Sequence, residues 1–421
     1  MKNEIYNKIL RKRKCMTIGV MTDWTSDSNY GEILQCWALQ QVLIHEGYNP
    51  FLVRFLRYNW EKESNPRSFS IVNKVKFLLL VFFKFLLIKP AVVSFLKKSE
   101  RKRIEEKHPD VNYYKERNKE RQFISFFEDN ILTSETIYNN FDELVNNPPV
   151  ADLYITGSDQ VWNFDMHITE TKAFFLQFGD KNLKRIAYAP SIGHNFWPKK
   201  RMEELRKYLS SFNAISVREK SGVEICRSVG FEATHVLDPS LLLTIKDYIQ
   251  LLNYTVKLND EPYIYIYSMN YSSPNDIAWK EIKQYAKENG LKIKVTPGAG
   301  YTPCREIFDG VEYDYATIPS WINNIANAQL VITASFHGSV FSILFHKHLL
   351  YTPLKGNMSQ SNNRVLGMLN DFGLDCMIYK KNRCVKEYVE QEIDWMKTDH
   401  LINICRERSL SYLRNAIKDC K

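Results

Sequence analysis

Residues 326–353 read ANAQLVITASFHGSVFSILFHKHLLYTP, and they set Ser335, Phe336, His337 and Gly338 between a strand-like run, Leu330–Thr333, and an apolar helix expected from about Ser339. Strand, short polar turn, helix is where doubly wound folds receive small anions, because the first amides of the helix lack partners and its dipole end is positive. An imidazole at that point could touch whatever binds; the plainer alternative is a capping or packed ring. Three further turns carry groups of the same kind. Asn29, Tyr30 and Gly31 follow the first strand, where Gly31 allows close backbone approach and Asn29 could simply cap the helix. Gly157, Ser158, Asp159 and Gln160 form a polar platform suited to sugar hydroxyls or a phosphate, or an Asx-turn held by Asp159. Arg218 ends a strand in NAISVREKSG. Its planar fork grips carboxylate or phosphate in paired bonds, although a lone arginine is more often a surface ion-pair partner.

The elements that must hold these turns alternate between strand and helix through most of the chain, which predicts parallel sheets covered by helices. MTIGVM, NPFLVRF, ADLYITG, KRIAYAP, NAISVR and ATHVLD read as strands of a first half, with GEILQCWALQQVLIHEG a helix between the first two. PYIYIYS, LKIKVTP, LVITA and HLLYTP read as strands of a second half. The expected organisation is an α/β protein of two Rossmann-like domains, residues 15–240 and 241–396, followed by a C-terminal helix over 397–421. A helical insertion over about residues 57–147 breaks the alternation in the first domain.

The net charge of +9 is local: residues 1–14 contribute +5 and residues 71–107 contribute +7, so the remainder sums to −3. A phosphate-tracking channel across the whole protein, and hence a nucleic-acid partner, is not expected. The run Phe77–Ile88 is apolar except for Lys84, too short to span a bilayer of about 20 helical residues. With the basic residues around it, 71–107 could lie on an anionic membrane surface or pack internally. The eight cysteines show no zinc or redox spacing, and no export signal is evident, so a cytoplasmic protein, peripheral at the inner membrane face if 71–107 binds lipid, is expected.

Taken in order, NYGEILQCWALQQVL, LYITGSDQVWN, SVREKSG, VLDPSLLL and ITASFHGSVFSILF resemble the polysaccharide pyruvyl transferase family over roughly residues 16–372. Glu32 departs from the small apolar residue expected there. The resemblance implies a GT-B-like pair of Rossmann domains that move the carbon skeleton of phosphoenolpyruvate onto a sugar, typically as a cyclic ketal across two hydroxyls. It implies His337 as the general acid, Arg218 as a ligand of the donor anion, and no metal or redox cofactor. The chemistry fits the residue types: C2 of phosphoenolpyruvate is attacked as C3 gains a proton, and a protonated imidazole can supply it near neutral pH. The amides of Gly338 and Ser339, with Lys347 and Arg364, are further donor-anion candidates, and Asp159 is a candidate base. Asn29, Tyr30, Gly31, Ser158 and Gln160 are expected on the acceptor side, where the sugar is lipid-linked if 71–107 sits on membrane. Two other readings stay open: a GT-B glycosyltransferase using a nucleotide sugar, for which GLKIKVTPGAGYTP offers neither a Gly-rich phosphate loop nor an acidic ribose partner, and a non-catalytic carbohydrate-binding protein of the same pathway.

Overall fold

A computed structural model describes residues 15–56, 111–166, 171–252, 261–298 and 306–419. β1 (Thr17–Met21), β2 (Asn49–Phe55), β3 (Thr133–Tyr138), β4 (Leu153–Thr156), β5 (Lys184–Ala187), β6 (Ala214–Val217) and β7 (Thr234–His235) form a seven-stranded sheet in the order β3-β2-β1-β4-β5-β6-β7. β8 (Tyr263–Ser268), β9 (Lys292–Pro297), β10 (Glu312–Tyr313), β11 (Leu330–Thr333) and β12 (His348–Tyr351) form a second sheet in the order β10-β9-β8-β11-β12. The pairings are parallel, for example Ile18 opposite Leu153 and Leu330 opposite Ile264. Strand order reverses between β1 and β4 and again between β8 and β11. At such points the connections diverge to opposite faces and leave a crevice at the carboxyl ends of the strands. The protein is therefore an α/β fold of two Rossmann-like halves.

Burial explains why these segments are strands. Every residue of β4, β8 and β11 is buried, the pattern of parallel strands covered on both faces, and their sequences LYIT, YIYIYS and LVIT supply β-branched and aromatic side chains throughout. The helices that position the site are α1 (Tyr30–His45), α2 (Ile318–Asn327), α3 (Phe336–Leu344), α4 (Asn362–Asp371) and α5 (Trp395–Lys418). Helix α1 is buried almost all round, as a helix must be when it lies between two sheets. Gln40 on it is paired on both sides of its amide, donating to Leu132 O at 2.8 Å and accepting from Leu132 N at 2.9 Å.

One hydrophobic core runs through both halves. Tyr30, at the start of α1, stacks on Trp321 of α2 with centroids 5.0 Å apart and meets Tyr267 of β8 edge-on. Its hydroxyl donates to Ala316 O at 2.6 Å and accepts from the Arg121 guanidinium, which also donates to Pro297 O. Helix α5 packs back onto the first half: Ser409 Oγ accepts from Leu237 N at 3.0 Å, Tyr412 donates to Ala187 O at 3.1 Å, and Arg414 pairs with Glu46.

Two expectations change. The interval 57–147 is not wholly a helical insertion, because Thr133–Tyr138 is the edge strand β3, paired with β2. TSETIY carries three exposed residues in a row, so the sheet-edge position, not an apolar pattern, defines it. Helix α3 begins at Phe336 instead of near Ser339, because Ser335 caps it. The basic apolar segment 71–107 lies outside the described residues. Among the described residues, no helix is long and apolar enough to cross a membrane.

Tyr30→Phe removes a buried hydroxyl and leaves Ala316 O and one Arg121 donor unpaired. It is expected to lower stability by about 1–3 kcal/mol. Urea unfolding checks this, and an unchanged midpoint would contradict a joint between the halves at Tyr30.

Candidate active site

The site is built where the two strand-order reversals face one another. After β11 the chain turns at Ser335, whose Oγ accepts from Gly338 N at 3.2 Å while its carbonyl accepts from Ser339 N at 3.0 Å. His337 thus sits in the first turn of α3, with only 6% of its surface exposed. The amides of Gly338 and Ser339 are already used by Ser335, which corrects the expectation that they bind the donor anion. Gly338 serves packing instead: a Cβ there would lie 2.9 Å from Thr333 Cγ2 and 3.1 Å from Tyr267 Cδ1.

Helix α1 starts directly against the imidazole. A Cβ on Gly31 would stand 2.0 Å from His337 Nδ1 and 2.3 Å from Cγ, so only glycine fits. Gly31 does permit a close approach, but what approaches is the His337 ring, not an acceptor. The opposite ring nitrogen, Nε2, is 3.6 Å from Asp238 Oδ1, too far for a hydrogen bond, and has no hydrogen-bond partner among the described residues.

Asp238 joins the two halves of the site. It follows β7 in VLDPSLLL, where Pro239 opens a short 3₁₀ turn and Asp238 Oδ1 caps it by accepting from Ser240 N at 3.0 Å. Its other oxygen accepts from Ser158 Oγ at 2.7 Å and Arg218 Nη1 at 2.8 Å. Burial on its own would raise the Asp238 pKa, but the charge and proximity of His337, then Arg218 and the Ser240 bonds, outweigh it and hold the carboxyl well below the usual range. Arg218 also donates from Nε to Glu219 at 3.1 Å, and its guanidinium lies 4.5 Å over the Phe336 ring. Burial works against its charge, yet Glu219, Asp238 and Asp159 together lift its pKa above the ordinary value. Arg218 Nη2 is buried and, among the described residues, unpartnered.

Arg218 and Asp238 open onto a cavity of about 400 Å³ whose wall also includes Phe336, Asn363, Arg364 and Asn195. Arg364 comes from α4, so the cavity takes one arginine from each half. Burial and then the like charge of Arg218 lower the Arg364 pKa, and the only hydrogen bond it makes among the described residues runs from Nε to Ser361 O at 3.3 Å. His337 is not on the cavity wall; its Nε2 lies 3.6 Å from Oδ1 of Asp238, which is. Among the described residues no three His, Cys, Asp or Glu side chains cluster as metal ligands would.

Of the other expected residues, Asp159 is close: its carboxylate bears on both arginines, its Oδ1 accepts from Gln160 N at 2.8 Å, and it adopts a left-handed φ of 67°. Asn29 begins α1 with its side chain uncommitted to the cap. Gln160 lies beside the cleft, accepting from Asn163 Nδ2 at 3.0 Å. Three assignments are corrected. Tyr30 is fully buried in the joint between the halves and presents nothing to an acceptor. Ser158 is likewise fully buried, its hydroxyl given to Asp238. Lys347 lies past the C-terminal end of α3, just before β12; the seven helical residues from Gly338 to Leu344 alone amount to about 10 Å. Asp238 and Glu219 received no role from sequence. The signal for Asp238 was an Asp-Pro pair just past a strand, the signature of a capping carboxylate.

Because the folded pKa of Asp238 is depressed below the unfolded value of about 3.9, its contribution to stability is complete above that value and is lost as pH falls below it. The stability gap between wild type and Asp238→Asn is therefore expected to be constant from pH 7 to about 5 and to shrink steadily below about 4. Urea denaturation at each pH checks this; a gap unchanged down to pH 3 would contradict the charged, buried carboxylate.

Similar architectures occur in solved structures. Arabidopsis thaliana UGT89C1 complexed with UDP-L-rhamnose aligns with 97% of this chain and 100% of its own at 10% identity and a TM-score of 0.47. The calicheamicin glycosyltransferase CalG4 covers 96% and 98% at 11% identity and a TM-score of 0.45. A UDP-N-acetylglucosamine 2-epimerase from Rickettsia bellii covers 95% and 96% at 9% identity and a TM-score of 0.43. At such identities the likeness concerns the fold alone. No curated protein sequence matches the chain. The sequence model of one family, polysaccharide pyruvyl transferase, matches residues 29–351, a span that starts at the Asn29 turn and takes in Asp159, Arg218, Asp238 and His337. The chain belongs to the polysaccharide pyruvyl transferase family.

Proposed function

We propose that the protein transfers the three-carbon skeleton of phosphoenolpyruvate onto two hydroxyls of one sugar, forming a cyclic pyruvate ketal and releasing phosphate. The observation that carries this reading is a pair of buried, unpartnered nitrogens, Arg218 Nη2 and His337 Nε2, flanking the single carboxylate of Asp238. A buried polar group without a partner is costly, and a ligand bearing anionic oxygens removes that cost. Arg218 Nη2 and Arg364 hold phosphate or carboxylate oxygens of the donor. His337, as imidazolium, protonates C3 while the first sugar hydroxyl bonds to C2. The C2–O bond to phosphate then breaks, the second hydroxyl adds to the resulting oxocarbenium carbon, and its proton passes to the imidazole left neutral by the first step, while the proton taken from the first hydroxyl leaves with phosphate. Asp159 is the proposed acceptor of a hydroxyl proton. Asp238 has two tasks: it balances the imidazolium, and it fixes Arg218 so that one face of the guanidinium is left for the donor. Because Asp238 lines the cavity and the ring does not, the scheme requires the donor's methylene to reach past the Asp238 carboxylate to Nε2. No metal or redox group takes part in this scheme.

The acceptor we propose is a sugar of a cell-surface polysaccharide precursor carried on lipid. The concentration of basic and apolar residues in 71–107 supports contact with the inner, anionic face of the membrane.

His337→Ala and His337→Gln are expected to bind phosphoenolpyruvate within a few fold of wild type and to lose turnover by about 10²–10⁴-fold. Acceptor-dependent phosphate release reads the rate, and the ketal methyl signal in NMR identifies the product. Full activity in His337→Ala would remove the ring from the mechanism. Release of nucleoside diphosphate from a nucleotide sugar, with phosphoenolpyruvate untouched, would replace the reading with glycosyl transfer.

A further inference from the structure

The loops after β4 and β5 hold a cluster that the donor chemistry does not use. Phe164 and Trp197 are buried and pack edge to face at 5.3 Å, and His194 stacks on Phe164 at 4.4 Å with an interplanar angle of 21°. Phe196 leans on both Phe164 and His194 at 5.6 Å, yet half of its surface, 50%, faces solvent. Oxygen acceptors surround His194: Asp165 Oδ2 and Asn163 Oδ1 each lie 3.3 Å from Nε2, and Gln360 Oε1 lies 2.6 Å from Nδ1. Burial lowers the pKa of this ring, but the bonds to Asp165 and Gln360 overcome it and the net direction is upward.

Its location is as informative as its composition. Gln360 belongs to the second half and the rest of the cluster to the first, so the cluster bridges the mouth of the crevice. Asn195, between His194 and Phe196, forms part of the wall of the arginine cavity. The charge of Arg364 is felt at His194. Gln160 joins the same network through Asn163.

We propose that Phe196 is the stacking platform of the acceptor-sugar subsite, with Asp165 and His194 as its hydroxyl-binding rim and the buried Asn163 holding that rim in place. A pyranose ring presents one face of C–H groups and an edge of hydroxyls. A half-exposed aromatic ring bordered by a carboxylate and an imidazole matches both. An apolar protein partner would call for a continuous greasy surface, and here one ring is hemmed by polar groups. The adjacency to Arg364 brings hydroxyls held on this rim next to a donor held in the cavity. The inference rests on the pyruvyl-transfer reading for the identity of the acceptor, but sugar binding can be read without turnover.

The protein and its Phe196→Ala variant are compared by saturation-transfer NMR with galactose-, mannose- and glucosamine-containing glycans, without phosphoenolpyruvate, and by calorimetry with phosphoenolpyruvate alone. Wild type is expected to bind at least one glycan, and Phe196→Ala to bind it about tenfold more weakly with unchanged donor affinity. His194→Gln is expected to raise acceptor KM while leaving donor KM in place. Equal glycan binding by wild type and Phe196→Ala, or no glycan binding by wild type, overturns the subsite. Glycan binding that depends on Phe196 in a protein that never releases phosphate from phosphoenolpyruvate upholds the subsite and removes the pyruvyl-transfer reading instead.

Discussion

A carboxylate withdrawn from water, that of Asp238, is the constraint from which the rest of the site follows. Burying such an ion costs several kcal/mol unless charges and hydrogen bonds replace its hydration. Here Arg218, Ser158 and Ser240 supply those bonds and His337 lies at 3.6 Å. These partners come from different places: Ser158 from the turn after β4, Arg218 from the end of β6, His337 from the turn after β11. One buried anion therefore registers the two halves of the molecule against each other. The same anion takes one nitrogen of Arg218 and leaves His337 Nε2 without a hydrogen bond, which is why unpartnered nitrogens stand on both sides of it.

That registration needs the two sheets to come close, and side-chain size sets how close. Gly31 admits the His337 ring to the start of α1, and the next residue toward the N-terminus, Tyr30, lies flat on Trp321. A small residue and a large one side by side thus serve one purpose: the first lets the catalytic candidate in, and the second fixes the distance. The joint carries the arginine of α4 to the arginine of β6, so the cavity belongs to neither half alone. Cleft geometry, charge and packing are consequently hard to change separately.

Much of the fold was legible in the sequence, since runs such as LVIT and YIYIYS declare buried parallel strands and alternate with helices. The candidate site was legible in part. His337, Arg218 and Asp159 were singled out because strand-end turns are where ligands bind, and Arg364 only as a further anion candidate; the structure brings all four into the neighbourhood of Asp238. What failed were inferences that needed a partner distant in sequence. Tyr30 has the makings of a sugar ligand until Trp321 is seen covering it. Ser158 seems available until Asp238 claims its hydroxyl. Lys347 is near His337 in sequence and remote in space, because α3 carries it to the other end of the sheet. Asp238 received no role from the sequence because the partners that give it one, Ser158 and His337, are distant in the chain. β3 was missed because an edge strand can be polar.

The central claim is that Arg218 Nη2 and Arg364 form the donor-anion site beside an imidazole that faces Asp238 at 3.6 Å. A structure of the protein with phosphoenolpyruvate bound tests it most directly. The account predicts an oxygen of phosphate or carboxylate accepting from Arg218 Nη2 and from Arg364, with the methylene carbon directed to His337. Donor density elsewhere, with Nη2 still without a partner, would contradict it.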